Sequence, residues 1–139
     1  VITGAKIGDA EVDTLQIKGQ AVTIPVSAYT ETEESYYSAY AGDIRTIQSA
    51  SITSTGAPIS ISCMLSIYAT KDDVEIRIYR DSTIIYEEVG GAHDYKTAIV
   101  MAETPGSGSH TYYIKYRTTV DGQNVTYEKR SIVLLETKK

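Results

Sequence analysis

The stretch ISISCMLSIY, residues 59–68, alternates Ile59, Ile61, Cys63, Leu65 and Ile67 with Ser60, Ser62, Met64, Ser66 and Tyr68. A period of two sets the first group on one face of a strand, whereas a helix would repeat its apolar residues at three and four. The same alternation recurs outward in both directions. Residues 44–53 form an upstream strand closed by Ser54-Thr55-Gly56-Ala57-Pro58. Val74, Ile76 and Ile78 alternate with Glu75, Arg77 and Tyr79, and Asp81-Ser82 turns the chain into residues 83–88. After Gly90-Gly91, residues 95–103 resume the pattern and Pro105-Gly106-Ser107-Gly108 turns it again. Tyr112, Ile114, Tyr116, Thr118 and Val120 then alternate with Tyr113, Lys115 and Arg117, and Asp121-Gly122 leads toward a last strand at residues 129–135. Short strands with turns about every ten residues predict an all-β antiparallel β-sandwich, jelly-roll-like, over residues 44–139.

Composition supports that class. The 139 residues include 12 Tyr, 17 Ile and 4 Leu, with no Phe or Trp. β-branched and tyrosine side chains suit a pleated surface, and leucine-poor sequence argues against helices. A net charge of -5 supplies no basic footprint for nucleic acid or anionic lipid. No apolar run approaches the ~18 residues of a membrane helix, so no membrane insertion is expected. The start at Val1 predicts a fragment or processed end of a longer chain.

Upstream of the sandwich the period changes. Ile2, Ile7, Val12, Ile17 and Val22 recur every five residues, with Ala5, Ala10 and Leu15 three places after the first members. Five is neither the strand, helix nor heptad period. It fits a β-solenoid or an intertwined fibre of several chains; so few pentads do not stack into a solenoid core, so residues 1–25 are expected to be a trimeric β-fibre stem. Residues 26–43 are acidic and tyrosine-rich without alternation, which predicts a connector. Its Tyr29, Tyr36, Tyr37 and Tyr40 offer either an exposed aromatic ligand surface or staples onto the sandwich or a neighbouring chain, packing being the commoner use of aromatics. Ile132, Val133, Leu134 and Leu135 are apolar at both parities, which predicts cover on both sides and so a second subunit over the outer face.

Little in the sequence points to catalysis. There is no G-x-S-x-G elbow and no Cys-His signature. Cys63 sits at core-facing parity and is expected to be inert, and His110, in Ser107-Gly108-Ser109-His110, reads as a solvated loop residue. His93-Asp94 pairs two ligand types but lacks the further donors of a metal site, and no cofactor is expected. Loops at sandwich ends carry recognition more readily than strands. Residues 90–95, 105–110 and 121–124 are therefore the candidates, with His93, Asp94, Tyr95, Gln123 and Asn124 as expected receptor contacts.

Several segments together resemble one family. ITGAKIGDAEVDTLQIKGQAVTIPVSAY is similar to the fibre-forming stretch of tail-fibre and host-specificity (tip attachment) proteins of long-tailed bacteriophages. ITSTGAPISIS, VEIRIYRDSTIIY, AETPGSGSHTYYIKYRT and RSIVLLETKK resemble their carboxy-terminal sandwich. The acidic tyrosine-rich connector and the charged run 126–130 depart from the commonest pattern. The resemblance implies a non-enzymatic homotrimer at the distal tail of a virion, outside the cell, that helps recognise a bacterial surface receptor, glycan or outer-surface protein. The rivals are a trimeric head of the tumour necrosis factor type on a bacterial or spore surface, and a polysaccharide-degrading tail enzyme, for which 139 residues leave little room for a groove.

Overall fold

A computed structural model describes residues 25–90 and 93–137. The expected stem positions Ile2, Ile7, Val12, Ile17 and Val22 lie outside them. Among the described residues there is no helix. The strands are β1 (Pro25–Thr30), β2 (Glu34–Ser38), β3 (Ile44–Ser54), β4 (Ile59–Ala69), β5 (Val74–Arg80), β6 (Thr83–Gly90), β7 (Tyr95–Glu103), β8 (Gly108–Thr118) and β9 (Gln123–Glu136). β1 and β2 pair in succession along β9, from Pro25 opposite Leu135 to Ser38 opposite Gln123, and so act as one edge strand interrupted at residues 31–33. Counted together, they give two sheets, β1/β2-β9-β4-β7 and β3-β8-β5-β6. That is an eight-strand antiparallel jelly roll, as the alternation predicts.

The core is what the alternating positions dictate. Ile59, Ile61, Cys63, Leu65 and Ile67 of β4 are all buried, and Ile76, Ile78, Tyr112, Ile114 and Tyr116 of the facing sheet close over them. The apolar area removed from water at about 25 cal/mol per Å² is the main force joining the sheets. Apart from Arg130 in the middle of β9, the polar residues that point inward do so near the sandwich ends, where partners exist: Ser38 donates to Asp43 Oδ2 at 2.7 Å, and Ser54 to Glu136 Oε1 at 2.7 Å.

Two expectations change. The segment 26–43, expected as a connector, supplies β1 and β2. Its inward positions, Val26, Ala28, Thr30, Tyr36 and Ser38, are mostly small or polar, so no apolar alternation announces them. The last strand begins at Gln123 rather than residue 129, because a bulge changes its parity. Opposite the single residue Leu65, between pairs Met64↔Ser131 and Ser66↔Glu128, β9 carries both Lys129 and Arg130. Gln123, Val125 and Tyr127 point inward before the bulge; Arg130, Ile132, Leu134 and Glu136 do so after it. Lys129 takes a φ of 35°, the left-handed kink that accommodates the extra residue.

Candidate functional site

Register places two of the three candidate loops together. Residues 39–43, 70–73, 93–94 and 119–122 cluster at one end of the sandwich, whereas residues 104–107 lie at the other, beside Gly56. At the first end the main chain is tied into a frame. Thr70 N–H donates to Asn124 O at 3.0 Å, Asn124 N–H donates to Thr70 Oγ1 at 3.1 Å, and His93 N–H donates to Ala69 O at 3.1 Å. Ala41 N–H donates to Asp121 Oδ1 at 2.6 Å, and Lys71 Nζ donates to Asp121 O at 3.1 Å. Gly122, at φ +64°, lets Tyr37 and Lys71 close over it: a Cβ there would come within 3.0 Å of Lys71 Nζ and 3.1 Å of the Tyr37 hydroxyl.

The five expected contact residues divide accordingly. His93, Asp94 and Asn124 are exposed on this end. Gln123 is fully buried, its amide donating to Asp72 O, so it holds the 70–73 loop and does not face a ligand. Tyr95 is half-buried; its hydroxyl donates to Glu88 Oε1 at 3.1 Å and its ring lies on Gly90, where a Cβ would sit 2.9 Å away. The four upstream tyrosines split as well. Tyr36 packs under the guanidinium of Arg45, 3.3 Å from its ring centre, while Tyr29, Tyr37 and Tyr40 stand exposed.

The cysteine, the second histidine and the outer face of β9 are placed as follows. Cys63 is buried, and burial pushes its thiol up to about 12. His110 is not a solvated loop residue: Nδ1 lies 2.9 Å from Asp81 Oδ2 and Nε2 2.9 Å from Gly106 O, and its side chain is largely covered. Val133 and Leu135 are partly exposed on the outer face, in an uncharged surface shared with Ser27, Ser60, Ser62 and Val100.

Sequence reasoning did not find a groove on that outer face. Where the bulge parts β9 from β4, two adjoining depressions of about 270 Å³ and about 470 Å³ share Ser66 and Glu128. The first is lined by Glu33, Ser66, Tyr68, Asp94, Thr126 and Glu128, contributed by the β1–β2 link, β4, β9 and the approach to β7, so it crosses the strands. The second continues toward Met64, Lys96, Thr97 and Lys129. Tyr68 exposes 43% of its surface and is buttressed by the His93 ring, 6.0 Å away between centres and tilted by 41°. Ser66 faces outward and lines both depressions, yet as a residue it is only 9% exposed. Among the described residues no three His, Cys, Asp or Glu converge as a metal site.

No protein-family model matches the chain, and no curated protein matches it. Solved structures share its fold at low identity. The chain is similar over 84% of its length to a chain of the T=1 particles derived from infectious bursal virus, at 11% identity and a TM-score of 0.54. It spans 36% of that viral chain. It also aligns with a chain of the Bacillus endospore appendages, described as disulfide-linked pili, at 11% identity and a TM-score of 0.44, covering 91% of this chain and 99% of that one. A CBM36 domain of a xylanase from the hindgut metagenome of Trinervitermes trinervoides gives 14% identity and a TM-score of 0.43 over 81% of this chain and 96% of that one. Only the first of these three likenesses is strong enough to bear on the fold, and it agrees with the antiparallel jelly-roll-like sandwich.

Proposed function

We propose that the chain is a structural and adhesion module at the distal end of a phage tail fibre, carried outside the cell on the virion and contacting the bacterial surface as a homotrimer. The observation that carries this reading is the rigid loop end. Exposed Tyr37, Tyr40, His93, Asp94 and Asn124 sit on a hydrogen-bonded frame, the arrangement of a preformed recognition surface. The resemblance of nearly the whole sequence to tail-fibre ends supports the location, and the period-five positions together with the uncharged outer face support association of chains. Three copies of each loop would turn weak contacts into firm attachment through avidity. A non-enzymatic role is supported by the placement of reactive groups: His93 and His110 lie at opposite ends of the sandwich and Cys63 faces the core. The eight-strand jelly-roll order keeps the tumour necrosis factor-type bacterial or spore-surface head as the second reading.

The test is attachment of the purified chain to candidate host cells, with sedimentation equilibrium on the same sample. Saturable cell binding by a particle of about three chain masses is expected. A monomer that binds no cell against a panel of candidate hosts overturns the reading.

A further inference from the structure

The groove across β9 and β4 has the chemistry of a sugar site. Tyr68 gives a flat aromatic face fixed by His93, the kind of platform on which the C–H face of a pyranose ring lies. Beside it, Ser66 is only 9% exposed as a residue and lines both depressions, and its hydroxyl can both donate to and accept from a ligand. The walls add the Thr126 hydroxyl and the carboxylates of Glu33, Asp94 and Glu128, which accept from ligand hydroxyls. Charge narrows the class. These three carboxylates face Lys96 and Lys129, and Lys96 already lies 3.5 Å from Asp94. The two lysines offset two of the three carboxylates, so a cationic ligand gains the attraction of only one net charge, while the carboxylates around the aromatic platform repel sialic or uronic acids. A volume of about 270 Å³ beside Tyr68 is at the small end of ligand sites, the scale of a single sugar unit, and the adjoining depression extends it for a further unit.

Resting on the adhesion reading above, we propose that this groove binds a neutral glycan. One pyranose ring stacks on Tyr68, and its hydroxyls are shared among Ser66, Thr126, Glu33, Asp94 and Glu128. The β9 bulge serves the site: by placing Lys129 and Arg130 opposite Leu65 it separates the strands on the outer face and opens the floor over Ser66.

The experiment titrates the full chain with defined oligosaccharides while recording backbone amide shifts. The neutral probes are glucan, mannan, galactan and N-acetylglucosamine oligomers; the charged probes are oligogalacturonate, sialyllactose and an oligolysine peptide. The expected result is that at least one neutral probe shifts Ser66, Tyr68, Thr126 and Glu128 and that no charged probe binds as tightly. Tyr68→Ala, at an exposed position, should keep the parent melting temperature and weaken that probe about tenfold or more. Glu128→Gln should weaken it less, and Val89→Ala, at an exposed position on β6 of the other sheet, should leave it unchanged. The inference is overturned if no neutral probe shifts the groove, if the shifts centre elsewhere, or if a charged probe binds as tightly. Whole-cell binding separates the two readings. Cells that retain Tyr68→Ala as well as the parent overturn the glycan groove and leave adhesion standing, whereas a parent that binds groove glycans but no host cell overturns adhesion alone.

Discussion

His110 stands 2.9 Å from Asp81, Nδ1 to Oδ2, and so clamps the β5–β6 turn to the start of β8. Its other nitrogen faces the Gly106 carbonyl at 2.9 Å, so both ring nitrogens look at acceptors and only the imidazolium can donate to both. The Asp81 carboxylate, first among causes, and the Gly106 carbonyl raise the His110 pKa above the ordinary 6.5. The bond from His110 and that from Thr111 N–H lower the pKa of Asp81. The raised group contributes stability that is full below the unfolded histidine pKa and lost as pH climbs through the folded one. The lowered group contributes above the unfolded aspartate pKa and loses it as pH falls through the depressed value. The stability difference between parent and His110→Gln should therefore peak between roughly pH 4.5 and 6 and shrink on either side. Melting temperatures across pH, with an NMR titration of His110, check this; a difference flat from pH 5 to 8 would refute the clamp.

Arg130 is 4% exposed and holds three strands of the sandwich together. Its Nε donates to Ile47 O of β3 at 2.8 Å, one terminal nitrogen donates to Thr32 O at 2.6 Å, and the other meets Glu34. Arg130→Met keeps much of the volume but leaves two carbonyls without their donor. Ile47 is buried whereas Thr32 is exposed and can bond water instead, so at about 1–3 kcal/mol for an unsatisfied buried group urea denaturation should show a loss of about 2 kcal/mol. Arg45→Met, at a neighbouring exposed position, should cost well under half of that.

How much of this was readable depends on where alternation is unbroken. β4, β5 and β8 keep one parity from end to end, and apart from Ser66 on the outer side of β4 their buried residues are those the sequence pattern picks out. β9 was half-legible: its bulge moves the inward parity from Tyr127 to Arg130, so the charged residues before it read as an approach to a strand. β1 and β2 escaped because their inward residues mix types: Val26, Ala28 and Tyr36 pack on the core, while Ser38 is held by a hydrogen bond with Thr118, so no run of apolar alternation marks either strand. The recognition end was partly visible, since turn residues mark loops, but which loops share an end follows only from strand pairing. The groove was invisible. Ser66 and Tyr68 appear in sequence as the polar side of a strand, and nothing local says that Glu33 and Asp94 meet them across the sheet.

Cys63 offers a clean probe of the core. Its thiol is 1% exposed and burial holds it protonated at neutral pH. Ellman's reagent should not react with the folded chain on the timescale of minutes and should react at once in denaturant. The slow native reaction should track global unfolding, so its rate should rise in Arg130→Met. Rapid labelling of the native parent would show that β4 opens locally.

The β9 bulge makes the sharpest structural prediction. Lys129 is the residue with positive φ inside the strand, and a lysine there carries a strain that glycine does not. Lys129→Gly should hence be neutral or stabilising by up to about 1 kcal/mol, against the usual loss when glycine enters a strand. Deleting Lys129 probes the same feature from the other side. With that residue gone, Arg130 follows Glu128 directly and stands alone opposite Leu65, so the pairs Met64↔Ser131 and Ser66↔Glu128 keep their register. Tyr127, Arg130, Ile132 and Leu134 then point inward in one unbroken alternation, and the bonds of Ser54 and Thr55 to Glu136 keep their register too. The deletion variant should therefore fold with the same buried residues and lie within about 1–2 kcal/mol of the parent. Urea midpoints and amide dispersion of the two variants check this, and a deletion variant that fails to fold would mean that the sandwich needs the bulge itself and not only the parity it sets.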